Sequence, residues 1–453
     1  MRKYWMILFC AGLLVSCEPS FLEQKPDKRL LVPGQLSDYQ ALLDAVPEGM
    51  NTSPGMQALA TDDFYCLPVA IDGLPPAERG VYLWERDPFQ GKSSQDWDLP
   101  YKCIFYANVV LSGLESIQAD SASQQQYASI QGSALFFRAF AHYNLAAAFC
   151  APYDSSSASS LPGIPLRLTA DVNQISDRGT LQATYDQILS DLSKAEALLT
   201  GPVGFTNRPS GVAAKALLAR IYLSMGEYGK ALIYASKALG LHDKLLDYNT
   251  LNASARRPFP AMFTGLNPEI IFHASMPGMD LPILTQTGVD SSLYRSYAPD
   301  DLRKTCFFVD RGGGVFGFKG SYLGSATLFA GLATDELYLI RAECYARAGQ
   351  RTAALSDLNA LLKQRFKAGT FKELVAGQDS LLNLVLSERR KQLVARGLRW
   401  TDLRRLNKDP ALAVRLQRLT SGGAISLLPG DNRYTLPIPD PEIALSGISP
   451  NPR

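Results

Sequence analysis

The stretch that decides the fold is residues 335–363, DELYLIRAECYARAGQRTAALSDLNALLK. Its apolar residues recur at helical spacing on both sides of Gly349, which predicts two amphipathic helices joined by a glycine turn. Small side chains such as Ala342 and Ala354 stand beside large apolar ones. Tetratricopeptide hairpins use this combination to bring two antiparallel helices close together. We therefore predict a helical hairpin here.

The same pattern occurs earlier, at residues 213–239, AAKALLARIYLSMGEYGKALIYASKAL. A shift of 123 positions superimposes Leu217 on Ile340, Ala219 on Ala342, Tyr222 on Tyr345, Gly226 on Gly349 and Ala231 on Ala354. A regular array would repeat about every 34 residues, so a large insertion separates the two hairpins. The predicted fold class is mostly α: a tetratricopeptide-like helical-hairpin scaffold with long loop-rich insertions.

Further helices are predicted around residues 97–117, 124–149 and 180–199, and over 381–406 with an interruption at Gly397. Two long regions, residues 51–100 and 241–334, lack this periodicity and are rich in Gly, Pro and aromatic residues, with one predicted strand at 269–273. We predict a single folded domain over residues 37–453, in which these two regions are loops on a helical scaffold.

The first residues predict export. Arg2 and Lys3 precede an apolar run that is too short to span a bilayer as a mature helix. The run ends in Leu14-Val15-Ser16-Cys17, which resembles a bacterial lipobox, where the cysteine thiol receives a diacylglycerol. We predict a lipoprotein signal peptide over residues 1–16, lipidation of Cys17 and a tether over residues 17–36. The alternative is an ordinary secretory signal.

The composition indicates a globular protein and argues against binding to nucleic acid or anionic lipid. With 453 residues, 46% apolar and 19% charged, the chain can bury a sizeable core. Its formal charge of +2 includes Arg2 and Lys3, so the mature chain is balanced and has no electrostatic reason to bind nucleic acid or anionic lipid. Five cysteines follow Cys17, none in a C-x-x-C pair. A Cys66–Cys103 disulfide is left open.

Catalytic motifs are lacking. Gly91-Lys92-Ser93 resembles the end of a P-loop, but position 86 is arginine where the first glycine is required. The chain contains no G-x-S-x-G motif, and its three histidines do not have the spacing of metal ligands. Asp62 and Asp63 are adjacent, so they cannot flank a glycosidic bond at the separation that hydrolysis requires. The sequence therefore favours a binding protein over an enzyme.

Short motifs run through most of the chain in a fixed order. They are Phe21-Leu22-Glu23 with Pro26, Trp97-x-x-x-Tyr101-x-x-Ile104-x-x-x-Asn108, Arg138-Ala139-Phe140, Gly163-Ile164-Pro165-Leu166, Asn267-Pro268-Glu269, Glu336-Leu337-Tyr338, Glu388-Arg389-Arg390, Gly397-Leu398-Arg399-Trp400 and Leu436-Pro437-Ile438-Pro439. Together with the lipobox they resemble the SusD-like (RagB/SusD) family of outer-membrane nutrient-binding lipoproteins.

The resemblance implies a role in nutrient capture. Such proteins bind oligosaccharides or other nutrients at the cell surface, cover a TonB-dependent (SusC-like) outer-membrane transporter, are not enzymes and need no cofactor. Their hairpins form the scaffold facing the transporter, and the inserted loops hold the ligand. Two alternatives stay open: the same role for peptides or another nutrient, and a structural scaffold that binds no ligand.

Aromatic residues in the two loop-rich regions are the candidate ligand contacts. A flat ring can stack on the C–H face of a sugar while polar neighbours bind its hydroxyls. We predict that regions 51–100 and 241–334 meet and form one shallow platform. Its candidate residues are Trp84 as the main stacking ring, Tyr82 beside it, Tyr294 or Tyr297 opposite, Asp63 as hydroxyl acceptor, and Trp97. The alternative is that these residues form the cores of the loop-rich regions.

Overall fold

The computed structural model describes residues 33–46, 49–201, 204–320 and 322–453. The predicted signal peptide and Cys17 lie outside these residues, as does most of the predicted tether.

Helices make up most of the regular structure. The first half holds α1 (Leu36–Leu43), α2 (Met56–Leu59), α3 (Pro76–Tyr82), α4 (Gln95–Leu114), α5 (Gln124–Phe149), α6 (Leu181–Leu198), α7 (Gly211–Met225) and α8 (Tyr228–Leu239). The second half holds α9 (Ser291–Ser296), α10 (Arg303–Phe307), α11 (Thr334–Arg347), α12 (Arg351–Lys363), α13 (Gln378–Gln392), α14 (Leu398–Leu406) and α15 (Asp440–Ser446). The mostly α fold class is confirmed, and each predicted helix is present.

Both predicted hairpins form. Helices α7 and α8 turn at Gly226 (φ +80°), and α11 and α12 turn at Gly349 (φ +73°). Glycine suits these turns because the left-handed backbone conformation is costly for residues with a Cβ. The paired small residues Ala219 and Ala342 are both fully buried. The shared register therefore marks small residues that are buried in both hairpins.

The helices pack as a succession of neighbours. Helices α4, α5, α6, α7 and α8 each contact the next one, and α8 then contacts α11, which carries α12 and α13. The two hairpins are thus adjacent in space, although about a hundred residues separate them in the chain. The insertion leaves the scaffold and returns without interrupting the stack.

Buried arginine–carboxylate pairs join these helices. Arg220 on α7 reaches Glu336 on α11 (N–O distance 2.6 Å), and Arg405 on α14 reaches Glu343 on α11 (2.6 Å). Arg138 on α5 pairs in the same way with Asp191 on α6 (2.7 Å). An unpaired buried charge is costly, so these pairs restrict which helix faces can meet.

Short antiparallel strands organise the loop-rich regions. β1 (Phe64–Cys66) pairs with β3 (Thr287–Val289), β2 (Ile270–Phe272) with β6 (Leu332–Ala333), β4 (Phe308–Asp310) with β5 (Phe316–Phe318), and β7 (Leu416–Thr420) with β8 (Gly423–Leu427). The strand predicted at 269–273 is present. The sequence did not predict α2, α3, β1 or the β7–β8 hairpin, because elements this short carry little periodicity and depend on packing. Cys66 and Cys103 are both free thiols.

Enlarging the small residues of the hairpins should destabilise the fold. Ala219→Leu and Ala342→Leu are each expected to lower the free energy of unfolding by about 1–3 kcal/mol, because the added atoms overpack a filled helix contact. Ala360→Leu, at an exposed position of α12, is the matched control and should cost no more than about 0.5 kcal/mol. Urea unfolding monitored by circular dichroism measures all three. Equal midpoints would contradict the close helix contact.

Candidate functional site

The two loop-rich regions meet, as predicted. β1 comes from region 51–100 and β3 from region 241–334, and the two strands pair with Phe64 opposite Val289 and Tyr65 opposite Gly288. Asp290 extends the contact by donating its backbone N–H to the carbonyl of Asp63 (2.9 Å).

The predicted platform is not exposed at this junction. Only 3% of Trp84 is exposed, and Tyr82 is equally buried. The indole Nε1 of Trp84 donates to the Ala60 carbonyl (2.9 Å), and the Arg418 guanidinium from β7 lies 4.7 Å from the Trp84 ring and 4.3 Å from the Tyr82 ring. The prediction that Trp84 is an exposed stacking ring is therefore wrong. The β7–β8 hairpin covers this region, so its aromatic residues form a local core.

Asp63 and Tyr297 are also internal. The Asp63 carboxylate accepts the backbone N–H of Ala395 (3.0 Å), and burial together with the Asp62 charge raises its pKa to about 6. The Tyr297 hydroxyl donates to the Lys391 carbonyl (2.7 Å). Both side chains hold the loop-rich regions against the segment around α13, and neither is available to a hydroxyl group in solvent.

Tyr294 is half-buried and reaches the surface. Its ring stacks on Phe316 with centroids 3.6 Å apart, and the Lys304 ammonium lies 4.8 Å from its centroid. These neighbours would compete with a sugar ring for the faces of Tyr294. The junction of the two regions therefore offers no open stacking surface formed by the predicted residues.

A cleft of about 600 Å³ lies between α4, the segment 165–176 and α15. Its lining combines rings, amides, hydroxyls and charges: Trp97, Asp98, Tyr101, Phe105, Asn108, Pro165, Arg167, Thr169, Val172, Asn173, Gln174, Ile175, Ser176, Glu442, Leu445 and Ser446. Trp97 is the one predicted site residue that lines it.

An aromatic row forms one wall of the cleft. Trp97, Tyr101 and Phe105 are spaced four residues apart on α4, so they lie on one face of the helix. Trp97 is buried beneath the row, with its ring centroid 4.9 Å from that of Tyr101, while Tyr101 and Phe105 are half-buried. Tyr101 and Phe105 therefore present flat apolar surface to the cleft, and the buried Trp97 supports the Tyr101 ring.

The opposite wall is the segment 165–176, which hydrogen bonds hold close to α4. The Tyr101 hydroxyl donates to the Pro165 carbonyl (2.9 Å), and the Asn108 amide donates to the carbonyls of Arg167 and Thr169 (3.0 Å each). Arg138 donates in turn to the Asn108 side-chain oxygen (2.9 Å), which fixes the orientation of that amide. The wall is therefore preorganised rather than dependent on a ligand.

Gly163 makes this approach possible. A Cβ at this position would lie 2.2 Å from the Thr184 hydroxyl oxygen and 2.6 Å from the Thr180 carbonyl oxygen, so no larger residue fits beside the start of α6. The Gly-Ile-Pro-Leu motif thus has a steric reason for its glycine, and the motif leads directly into the wall of the cleft.

The third side of the cleft is formed by α15, which carries both polar and apolar side chains at the rim. Glu442 and Ser446 line the cleft, and Leu445 is 84% exposed at its edge, facing the same opening as Val172 and Ile175. Burial raises the pKa of Asp98, and the nearby Glu442 carboxylate acts in the same direction. The cleft can thus combine apolar contact along its walls with hydrogen bonds at its rim.

The sequence contained a signal for the aromatic row. Trp97 and Tyr101 belong to the quoted helix motif and Phe105 continues the same spacing, but of these three residues the sequence analysis named only Trp97 as a site candidate. The 165–176 wall and α15 gave no local signal, because they meet α4 only through the tertiary fold. In the described residues no group of three or more His, Cys, Asp or Glu side chains could hold a metal ion.

Comparison with known proteins identifies the class of protein. A family model described as "Starch-binding associating with outer membrane" matches residues 20–223, and the model of the SusD family matches residues 334–447. Both are SusD-type models, and together they match more than two thirds of the chain. The chain belongs to the SusD family, whose members are outer-membrane-associated binding proteins.

Individual relatives share a low sequence identity with this chain. The chain is 23% identical to SusD-like protein P2 from Formosa agariphila over 100% of this chain and 99% of that protein. It resembles the structure of a putative sugar binding protein from Bacteroides vulgatus with a TM-score of 0.72 and 21% identity, covering 93% of this chain and 99% of that chain. A laminarin-binding SusD-like protein has a TM-score of 0.66 and 19% identity, covering 92% and 99%. These structures support the fold.

Proposed function

We propose that this chain is a surface lipoprotein that binds an oligosaccharide in the cleft between α4 and α15 and delivers it to a TonB-dependent outer-membrane transporter. The observation that carries the proposal is the pair of half-buried rings, Tyr101 and Phe105, that faces a rim of amides, hydroxyls and carboxylates. The folded domain over residues 37–453 would act by binding alone, without catalysis or a cofactor.

The shape and chemistry of the cleft suit a short glycan. A volume of about 600 Å³ lies within the range of small-ligand sites, roughly 300–1,000 Å³. Half-buried rings can pack against the apolar faces of sugars, and their polar surroundings can bind hydroxyl groups. The family description and the laminarin-binding neighbour support a glycan ligand in preference to a peptide.

Isothermal titration calorimetry with a panel of neutral oligosaccharides tests the proposal. The panel should include fragments of laminarin and of starch, with a mixture of short peptides as the competing class. Saturable heat with at least one glycan and none with the peptides is expected. Binding of peptides alone would favour the alternative nutrient, and no binding by either class would favour the structural scaffold.

The anchor is proposed to be the lipid on Cys17. In the described part of the chain no helix is long and apolar enough to cross a membrane. Cys17→Ala is expected to abolish acylation, so the protein should leave the membrane fraction or accumulate with its signal peptide. Mass spectrometry of the mature N-terminus measures this outcome, with Cys10→Ala as the control that retains acylation. A mature chain that lacks acyl groups in the unaltered protein would refute the lipoprotein assignment.

The transporter contact is proposed on the hairpin side of the scaffold, as the family resemblance implies. There the outer helix α12 and residues 371–374 border a groove of about 700 Å³, and α12 contributes Arg351, Leu355 and Lys363 to it. Co-purification from solubilised outer membranes tests the partner. Absence of a TonB-dependent transporter from the purified complex, with the protein intact, would contradict delivery.

A further inference from the structure

Charged groups of the cleft are unequally available to a ligand. Three charged side chains line it: Asp98 on α4, Glu442 on α15 and Arg167 on the opposite wall. Each could in principle bind a charged or a hydroxyl group of a ligand, so the partners they already have decide what the cleft recognises.

Arg167, the cation among these three side chains, is hydrogen-bonded to the backbone of its own wall. The Arg167 guanidinium donates through Nη1 to the Gln174 carbonyl and through Nη2 to the Asp171 carbonyl (3.0 Å). These bonds close the segment on itself and direct the two terminal nitrogens at backbone oxygens. Arg167 therefore supports the wall, and one N–H of each terminal nitrogen is already used for that purpose.

Neither carboxylate has a cation partner in the part of the chain that the structure describes, although Asp98 accepts a hydrogen bond from the Ser93 side chain. Across the described residues, neither Asp98 nor Glu442 takes part in an ion pair within 4.0 Å. They lie near enough for the Glu442 charge to raise the pKa of Asp98, after the larger effect of burial. The cleft is therefore lined by two carboxylates and one guanidinium, and these three side chains give it a net negative charge.

We propose that the cleft selects uncharged, hydroxyl-rich glycans and excludes polyanionic ones such as uronate or sulfate polymers, because Asp98 and Glu442 line it without a described cation partner and outnumber Arg167, which is hydrogen-bonded to its own loop. Ionised carboxylates are strong acceptors for sugar hydroxyls, and they repel a ligand of like charge. This inference rests on the proposed function and assigns the ligand class of the same site.

A matched pair of glycans provides the test. The unaltered protein is titrated with a neutral glucan that binds it and with the sulfated derivative of the same glucan. The sulfated form should bind at least about tenfold more weakly, since like charges meet in the cleft. Higher salt should narrow this difference, because it screens the repulsion.

Neutralising the carboxylates should change the selectivity. The double variant Asp98→Asn with Glu442→Gln is expected to recover about tenfold of the affinity for the sulfated glucan and to weaken binding of the neutral one. Glu115→Gln with Asp243→Asn removes the same charge from exposed positions outside the cleft and should leave the ratio of the two affinities unchanged.

The outcomes separate the inference from the proposed function. Equal affinity for both glucans, or an unchanged ratio in the cleft double variant, overturns the charge selection while glycan binding stands. Failure of every glycan to bind overturns the proposed function, and the charge selection with it. A neutral preference that both double variants abolish equally overturns the assignment to Asp98 and Glu442, because overall charge would then explain it.

Discussion

The Trp84→Ala variant should be much less stable than the unaltered protein. Its folded form should bind the glycan with the same affinity. The ring is buried, donates to the Ala60 carbonyl and covers the Arg418 guanidinium. Removing such an aromatic residue from a core costs about 3–5 kcal/mol. In the variant, the Ala60 carbonyl would lose its hydrogen-bond donor, and the Arg418 guanidinium would lose one of the two rings that it contacts.

Two controls accompany the measurement. Trp84→Phe keeps a ring near Arg418 and loses the N–H donor, so it should cost about 1–3 kcal/mol. Phe205→Ala removes a ring that is 68% exposed, and it should cost about 0.5 kcal/mol or less. Urea unfolding gives the stabilities, and calorimetry below the melting temperature gives the affinities. An unchanged stability with lost glycan binding would return Trp84 to the ligand site.

Phe105→Ala should lose glycan binding while the fold stays intact. Phe105 is half-buried at the open part of the aromatic row, where a sugar ring can reach it. Truncating an aromatic anchor commonly costs at least about 2 kcal/mol of binding, which is about thirtyfold in affinity. Calorimetry with the bound glycan measures the change, and a thermal melt shows whether the variant is folded.

Tyr106→Ala is the matched control for this variant. Tyr106 is the next residue on the same helix, is also half-buried, and does not line the cleft. Its ring lies beside that of Phe105 (centroids 6.0 Å apart) and near the Lys102 ammonium (5.7 Å to the centroid). Affinity within about threefold of the unaltered protein is expected, since no ligand contact is removed. Equal losses in both variants would indicate a general effect on α4 and would remove the aromatic row from the site.

Trp84 and Phe105 show that the exposure of an aromatic side chain could not be predicted from the sequence. Both are aromatic residues in or beside the region that the sequence identified as loop-rich. Trp84 follows a short helix in a polar stretch, which made exposure a reasonable expectation, whereas Phe105 follows the core spacing of a long helix. The structure buries Trp84 beneath β7, whereas Phe105 lines the cleft between α4 and the segment 165–176.

The sequence by itself determined the helical scaffold. Its periodicity located the long helices, the repeated Ala and Gly positions located both hairpins, and the motif order identified the family. These signals are local, since helix formation and glycine turns depend on residues within a few positions of each other.

Only the tertiary structure decided which side chains are exposed and which groups share a site. The cleft joins residues of α4, segment 165–176 and α15, which are far apart in the chain, and its charge depends on Asp98, Arg167 and Glu442 being brought together. Burial arises from contacts between distant segments, such as Arg418 reaching Trp84, and no local pattern encodes them. For this reason the scaffold could be predicted from the sequence, whereas the surface that meets the ligand could not.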